Sequence, residues 1–319
     1  MMGTLYIDKS GYEIRLDGNS IAFYLNGRRE GAVPINPLKR VIIAGRCSVD
    51  TKVFHRLAER GIQVIMLTGR SLHFRCAVQG RLHNNGLIRL KQYGRASDPE
   101  FVNAVSIELV NRKMENQIML LEQAITERPD CRRPLFQGID RLVQTKEKIL
   151  TIRPDIDSLR GYEGTASSAY FTAYASLFPA SLGFSGRNRR PPRDPVNAML
   201  SLCYTLLYGE ITTEIYIAGL DPTIGFYHCF EYGRDSLSCD IEEPFRPEVD
   251  RFVWNLFREG LFTKRDFVTE KGGVYLKKKS RSRFYPCYER FAREMRKEIQ
   301  KTLRALIERL FNETDSLSI

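Results

Sequence analysis

The chain has 319 residues, 43% of them hydrophobic, an ordinary globular composition that suits roughly one to two domains of about 100–200 residues each. Its net charge of +11 favours polyanionic partners, because neutralised phosphates release counterions. No long segment pairs high charge with few apolar residues, which excludes a disordered tail, and the longest uncharged run, Gly164 to Gly186, is too rich in Gly, Ala, Ser and Thr to be a transmembrane helix.

In chain order, Thr4–Ile7, Tyr12–Leu16 and Ser20–Leu25 read as short strands separated by the turn signals Asp17-Gly18-Asn19 and Asn26-Gly27. The opening residues Met1 to Ser10 lack the apolar core of a signal peptide, so a cytoplasmic protein is expected. Thr51–Arg60 places Val53, Phe54, Leu57 and Ala58 at helical spacing, with Gly61 as a stop. Val41–Ala44, Val64–Leu67 and His73–Val78 complete a strand-dominated segment. The pattern changes near 86–100, where Gly94, Ser97, Asp98 and Pro99 suggest a linker and a helix start. Helices follow at Phe101–Ala124, Leu135–Ile149, Ser158–Leu177, Pro195–Tyr208, Pro247–Arg258, Thr263–Glu270 and Tyr288–Phe311. Ser185–Arg193 has no apolar period and reads as a mobile basic loop. The expected architecture is α+β: a small β-rich N-terminal domain (1–95) followed by a larger all-α C-terminal domain (96–319).

Charge is divided unevenly between these parts. Residues 1–95 hold 16 Lys and Arg against 6 Asp and Glu, whereas the remainder holds 33 against 32. The seven cysteines form no Cys-x-x-Cys pair, which argues against disulfide frameworks and zinc clusters.

Of the four histidines, His55, His73 and His83 read as structural, whereas His228 lies in Gly225-Phe226-Tyr227-His228, upstream of Asp240, Glu242 and Glu243. Asp240 and Glu243, three apart, share one face of a helical turn. Carboxylates so placed repel unless a cation lies between them. The plainer alternative is an acidic turn at a helix start, where the dipole favours it. Glu163 stands among small residues at 164–169, where a half-buried carboxylate needs either a metal or an ion pair, for which Arg160 is available. One imidazole with two or three carboxylates is an oxygen-rich donor set suited to Mg²⁺ or Mn²⁺ and hence to phosphodiester chemistry. The chain has no Walker-type loop and no Gly-x-Ser-x-Gly elbow.

Several ordered motifs carry a resemblance. They are Leu5-Tyr6-Ile7-Asp8, Gly61-Ile62-Gln63-Val64, Arg160-Gly161-Tyr162-Glu163-Gly164, Asp194-Pro195-Val196-Asn197-Ala198-Met199-Leu200-Ser201 with Tyr204, Gly225-Phe226-Tyr227-His228, and the run from Ser236 to Pro247. Together they make the chain similar, nearly end to end, to the CRISPR-associated integrase of spacer acquisition (the Cas-one family). The resemblance implies a β N-terminal domain that dimerises, a helical catalytic domain, and a homodimer joined to a small Cas-two partner on double-stranded DNA. It implies a divalent metal on Glu163, His228 and Glu243, with Asp240 in a supporting catalytic role. The implied reaction is transesterification by a DNA 3′-hydroxyl, or hydrolysis when water attacks. Candidate phosphate contacts are Arg187, Arg189 and Arg190 in one basic run and Lys277, Lys278, Lys279, Arg281 and Arg283 in another. The sequence departs from the expected pattern after His228, where Cys229, Phe230 and Glu231 replace a basic residue. A general metal-dependent repair nuclease on branched DNA and a non-catalytic DNA-binding assembly protein are the competing readings.

Overall fold

The structure, a computed structural model, describes residues 3–69, 72–78, 80, 85–188, 191–228 and 233–312. His83, Arg189, Arg190 and Cys229 lie outside them. Two compact units meet in sequence at Asn84 and Asn85.

The first unit contains β1 (Thr4–Ile7), β2 (Tyr12–Asp17), β3 (Ser20–Leu25), β4 (Arg28–Pro34), β5 (Arg40–Ile43), β6 (Ser48–Val49), α1 (Thr51–Glu59), β7 (Gln63–Thr68) and β8 (His73–Val78). They form two four-stranded sheets, ordered β1-β5-β7-β8 and β4-β3-β2-β6. Strands β1, β5 and β7 run parallel, β8 antiparallel. Ile7, Ile14, Ile21, Val41, Val53, Leu57 and Val64 draw both sheets and α1 into one core. Strand β4 was not expected, because Arg28-Arg29-Glu30-Gly31 carries no apolar alternation. It is an exposed edge strand whose pairing with β3 supplies its order.

The second unit contains α2 (Gly86–Ala96), α3 (Pro99–Glu127), α4 (Arg132–Ile152), α5 (Ile156–Ala175), α6 (Pro195–Ile217), α7 (Ser236–Glu242), α8 (Arg246–Arg258), β9 (Phe267–Glu270), β10 (Gly273–Leu276) and α9 (Lys278–Phe311). Helix α6 is the axis of the unit and is buried along nearly all its length. Aspartates cap the helices that carry the site: Asp98 before α3, Asp155 before α5 and Asp194 before α6. No helix among the described residues is long and apolar enough to cross a membrane.

Three expectations are corrected. Asp98 and Pro99 do start a helix, but the linker expected from Gly94 is the end of helix α2, which belongs with the second unit: Gln92 donates to the carbonyls of Asp221 and Ile224 at 2.8 and 2.6 Å. The second unit is not all-α. Thr263 and Asp266 do form a capping box, but it heads a single 3₁₀ turn, and Phe267–Glu270 continues as a strand of the β9–β10 hairpin. The loop preceding α6 is pinned where it is described. The buried Asn197 accepts from Asn188 N at 2.9 Å and donates to the Gly186 carbonyl at 2.9 Å.

Candidate active site

Helix α3 presents a buried stripe with the spacing Ser106, Val110, Lys113, Gln117, Leu120, Ala124. Lys113 therefore points inward and is 7% exposed. Its ammonium pairs with Glu163 Oε1 from α5 and with Glu243 Oε2, at 2.6 Å, from the 3₁₀ turn after α7. Two carboxylates from separate elements are thus held around one cation. Burial opposes the Lys113 charge, but Glu243 and Glu163 more than compensate, and its pKa stays above the ordinary lysine value. Burial likewise opposes ionisation of Glu243, yet the charges of Arg246 and Lys113 pull its pKa down to about 2.

The pairing of Glu163 with Arg160 that its sequence neighbourhood offers does not form. Arg160 bonds instead to Asp157 at 2.9 Å and to the Tyr227 carbonyl at 3.1 Å. The other oxygen of Glu163 accepts from Tyr227 Oη at 2.6 Å. Glu243 is steadied by Arg246, 3.3 Å away, which also holds Glu242 at 2.9 Å.

Asp240 does not join the carboxylate pair. Fully buried, it accepts from the backbone N–H groups of Phe226 (2.5 Å), Tyr227 (3.0 Å) and His228 (2.9 Å), and its Oδ1 lies 2.7 Å from His228 Nδ1. A carboxylate is an acceptor only, so Nδ1 carries the hydrogen and Nε2 keeps its lone pair in the neutral ring. Asp240 thus sets the tautomer and direction of the imidazole, the usual task of a carboxylate behind a ligating histidine. Gly225 allows this embrace. A Cβ there would lie 2.6 Å from Asp240 Oδ2 and 2.7 Å from the Ser236 backbone.

A cavity of about 190 Å³ opens beside the pair, lined in part by Lys113, Glu163, Ser167, Arg187, Arg246 and Asp250. The guanidinium groups of Arg187 and Arg246 lie 5.3 and 5.2 Å from the Tyr204 ring. Tyr204 and Tyr170, the latter at 2.8 Å, donate to Asp250, whose pKa burial raises to about 6.

The four acidic and imidazole candidates therefore fall into two linked pairs: Glu163 with Glu243 around Lys113, and Asp240 with His228. Among the described residues, no three His, Cys, Asp or Glu side chains converge on one point. A cation nevertheless fits this donor set. Glu243 Oε2 is buried and accepts no hydrogen bond of good geometry, although Lys113 Nζ is 2.6 Å away. Lys113 was missed because it is one of 49 basic residues. Its signal was a charge on the apolar stripe of α3.

The basic candidates separate. Arg187 bonds to Asn197 at 2.9 Å and faces the cavity. The second run caps and opens α9: Arg281 is buried and Arg283 is held by Asp266, leaving Lys278 and Lys279 exposed.

The fold, a β-sheet N-terminal unit and a mostly helical second unit, is shared with solved structures. A solved Cas1 protein from Thermotoga maritima matches with a TM-score of 0.85 at 26% identity, each chain covered in full. A casposase bound to integration product shares the fold, with a TM-score of 0.83 over 99% of this chain and 93% of that one, at 20% identity. The CRISPR-associated endonuclease Cas1 1 of Thermodesulfovibrio yellowstonii is 45% identical, over 99% of this chain and all of that protein. The family model for CRISPR associated protein Cas1 matches residues 5–290. The chain belongs to the CRISPR-associated Cas1 family.

Proposed function

We propose that this chain is the metal-dependent endonuclease and integrase of CRISPR adaptation, inserting short foreign DNA into the CRISPR array. The observation that carries the reading is the meeting of Glu163 and Glu243 around a single cation, beside an imidazole oriented by Asp240. Glu163, Glu243 and the Nε2 of His228 would hold a divalent ion, Mg²⁺ or Mn²⁺. When bound, that ion supplies a Lewis acid at a phosphoryl oxygen.

The chain's own residues have distinct tasks. Tyr227 fixes one oxygen of Glu163, and Arg246 keeps Glu243 ionised and in place. Arg187 and Arg246 line the adjoining cavity, where positive charge suits a DNA phosphate. In the reaction, the 3′-oxygen of the incoming DNA forms a bond to phosphorus, while the bond from that phosphorus to the array's own 3′-oxygen breaks. With water as attacker, the same site hydrolyses. The resemblance extends the proposal to a homodimer working in the cytoplasm with a small Cas2 partner on double-stranded DNA.

The test is a strand-transfer assay with a short duplex bearing free 3′-hydroxyls, a repeat-carrying plasmid, Mn²⁺ and the Cas2 partner. Joined products are expected from wild type, with losses of at least about 100-fold, or ~2.7 kcal/mol of barrier, in Glu163→Gln, His228→Ala and Glu243→Gln. Full activity in all three variants overturns the site. Nicking of branched DNA with no joined product favours the repair-nuclease reading.

A further inference from the structure

Lys113 belongs to no motif that suggested the site, yet its ammonium stands where the two carboxylates converge. It contacts both Glu163 and Glu243 and is buried on α3. A divalent ion held by the same two carboxylates cannot share that position with an ammonium. Glu243 Oε2 is buried and holds Lys113 Nζ at 2.6 Å, a close ion pair whose angles are poor for a hydrogen bond. A built-in cation that neutralises the pair but meets one of its oxygens at a poor hydrogen-bond angle is suited to being replaced. The cavity of about 190 Å³ against which Lys113 already lies offers the ammonium a place to go, with Ser167, Gln117 and Asp250 on its walls.

We infer that Lys113 is a resident counter-ion of the site: it holds Glu163 and Glu243 together in the metal-free protein and is expelled into the adjoining cavity when a divalent ion binds. The inference rests on the metal-site reading above. Two consequences follow from exchange of one cation for another. Metal binding must break two buried ion pairs, so Lys113 weakens metal affinity. The expelled ammonium joins Arg187 and Arg246 on the cavity wall, so a loaded site faces DNA with one more free positive charge than an empty one.

The experiment titrates Mn²⁺ alone into metal-free protein, following free Mn²⁺ by its paramagnetic resonance signal. The variants are Lys113→Gln, Lys113→Met, Arg246→Gln and Glu163→Gln. Lys113→Gln and Lys113→Met should bind Mn²⁺ at least about tenfold more tightly than wild type, and Glu163→Gln more weakly. Equal or weaker binding in both Lys113 variants overturns the inference. So does an equal gain in Arg246→Gln, which would make Lys113 a background charge. Absence of Mn²⁺ binding in every protein overturns the metal site itself, and tight wild-type binding unaffected by Lys113 overturns only the exchange. A readout on wild type needs no folded variant: acetylation of Lys113, followed by peptide mass spectrometry, should rise severalfold when Mg²⁺ is added. Unchanged acetylation in Mg²⁺-loaded protein counts against expulsion.

Discussion

At the scale of single residues, the site depends on Asp240 more than its absence from the carboxylate pair suggests. It satisfies three backbone N–H groups and one ring nitrogen at once. Asp240→Asn keeps the volume but turns one acceptor into a donor facing N–H groups. Mn²⁺ affinity should fall by about 10–100-fold, the usual cost of losing the carboxylate behind a metal-ligating histidine. Calorimetric titration at fixed pH reads it, and wild-type affinity would show that His228 needs no such support. Gly225→Ala probes the same embrace from the other side. The added Cβ meets Asp240 and backbone atoms, which cannot yield as a flexible side chain would. A loss of about 1–3 kcal/mol is expected in urea unfolding, within the range for overpacking. The residues named from sequence as Glu163, His228, Asp240 and Glu243 do lie in one region, but their division of labour was illegible. Periodicity puts Asp240 and Glu243 on one face of a turn; it cannot say that one faces an imidazole and the other a lysine 130 positions earlier in the chain.

At the scale of elements, the loop before α6 and the hairpin before α9 show where local patterns mislead. Thr263 and Asp266 have the chemistry of a helix start, and only the β-branched and aromatic run Phe267-Val268-Thr269 pointed to the strand that follows. Helix α2 was unreadable for the opposite reason: Leu87, Leu90 and Tyr93 are exposed, while the polar Gln92 is buried. Ser185–Arg193 looked mobile because its own residues have no pattern. Among its described residues, Gly186 and Asn188 are held by Asn197, in the first turn of α6. Asn197→Ala removes these bonds and strands the Asn188 N–H, at a cost of about 1–3 kcal/mol. Trypsin should then cut within the loop several times faster than in wild type, whereas an unchanged digestion rate would mean that other contacts hold it.

For the molecule as a whole, the buried carboxylate of Asp250 makes stability depend on pH. Its folded pKa of about 6 lies above the usual 3.8, because burial outweighs the hydrogen bonds from Tyr204 and Tyr170. The folded chain therefore binds this proton more tightly than the unfolded chain does. That contribution is fully present below pH 3.8 and is lost as pH rises through about 6. It amounts to something on the order of 2–3 kcal/mol. Thermal unfolding between pH 4 and 7.5 should show this component of decline in wild type, superposed on the other titrations, and Asp250→Asn should lack it. Identical profiles would mean that Asp250 is ionised throughout. The two-part α+β division of the fold was readable at this scale, because strand alternation and helical periods change character along the chain. The boundary was misplaced by about one helix, since α2 joins its unit through side-chain bonds to Asp221 and Ile224 that no local pattern reveals.

The wide spacing of the carboxylate pair also bears on how the chain is made. Glu163 emerges from the ribosome about 80 residues ahead of Glu243, a delay of roughly 4–16 s at 5–20 residues per second. Throughout that interval Lys113 and Glu163 are outside the exit tunnel, but the second carboxylate is not. On the proposed metal-site reading, a growing chain therefore lacks a complete site until the turn after α7 has emerged. Ribosome-bound chains stalled before residue 236 should retain no Mn²⁺ and leave DNA uncut, while chains stalled after a C-terminal extension long enough for the whole second unit to clear the exit tunnel should bind Mn²⁺ and cut DNA.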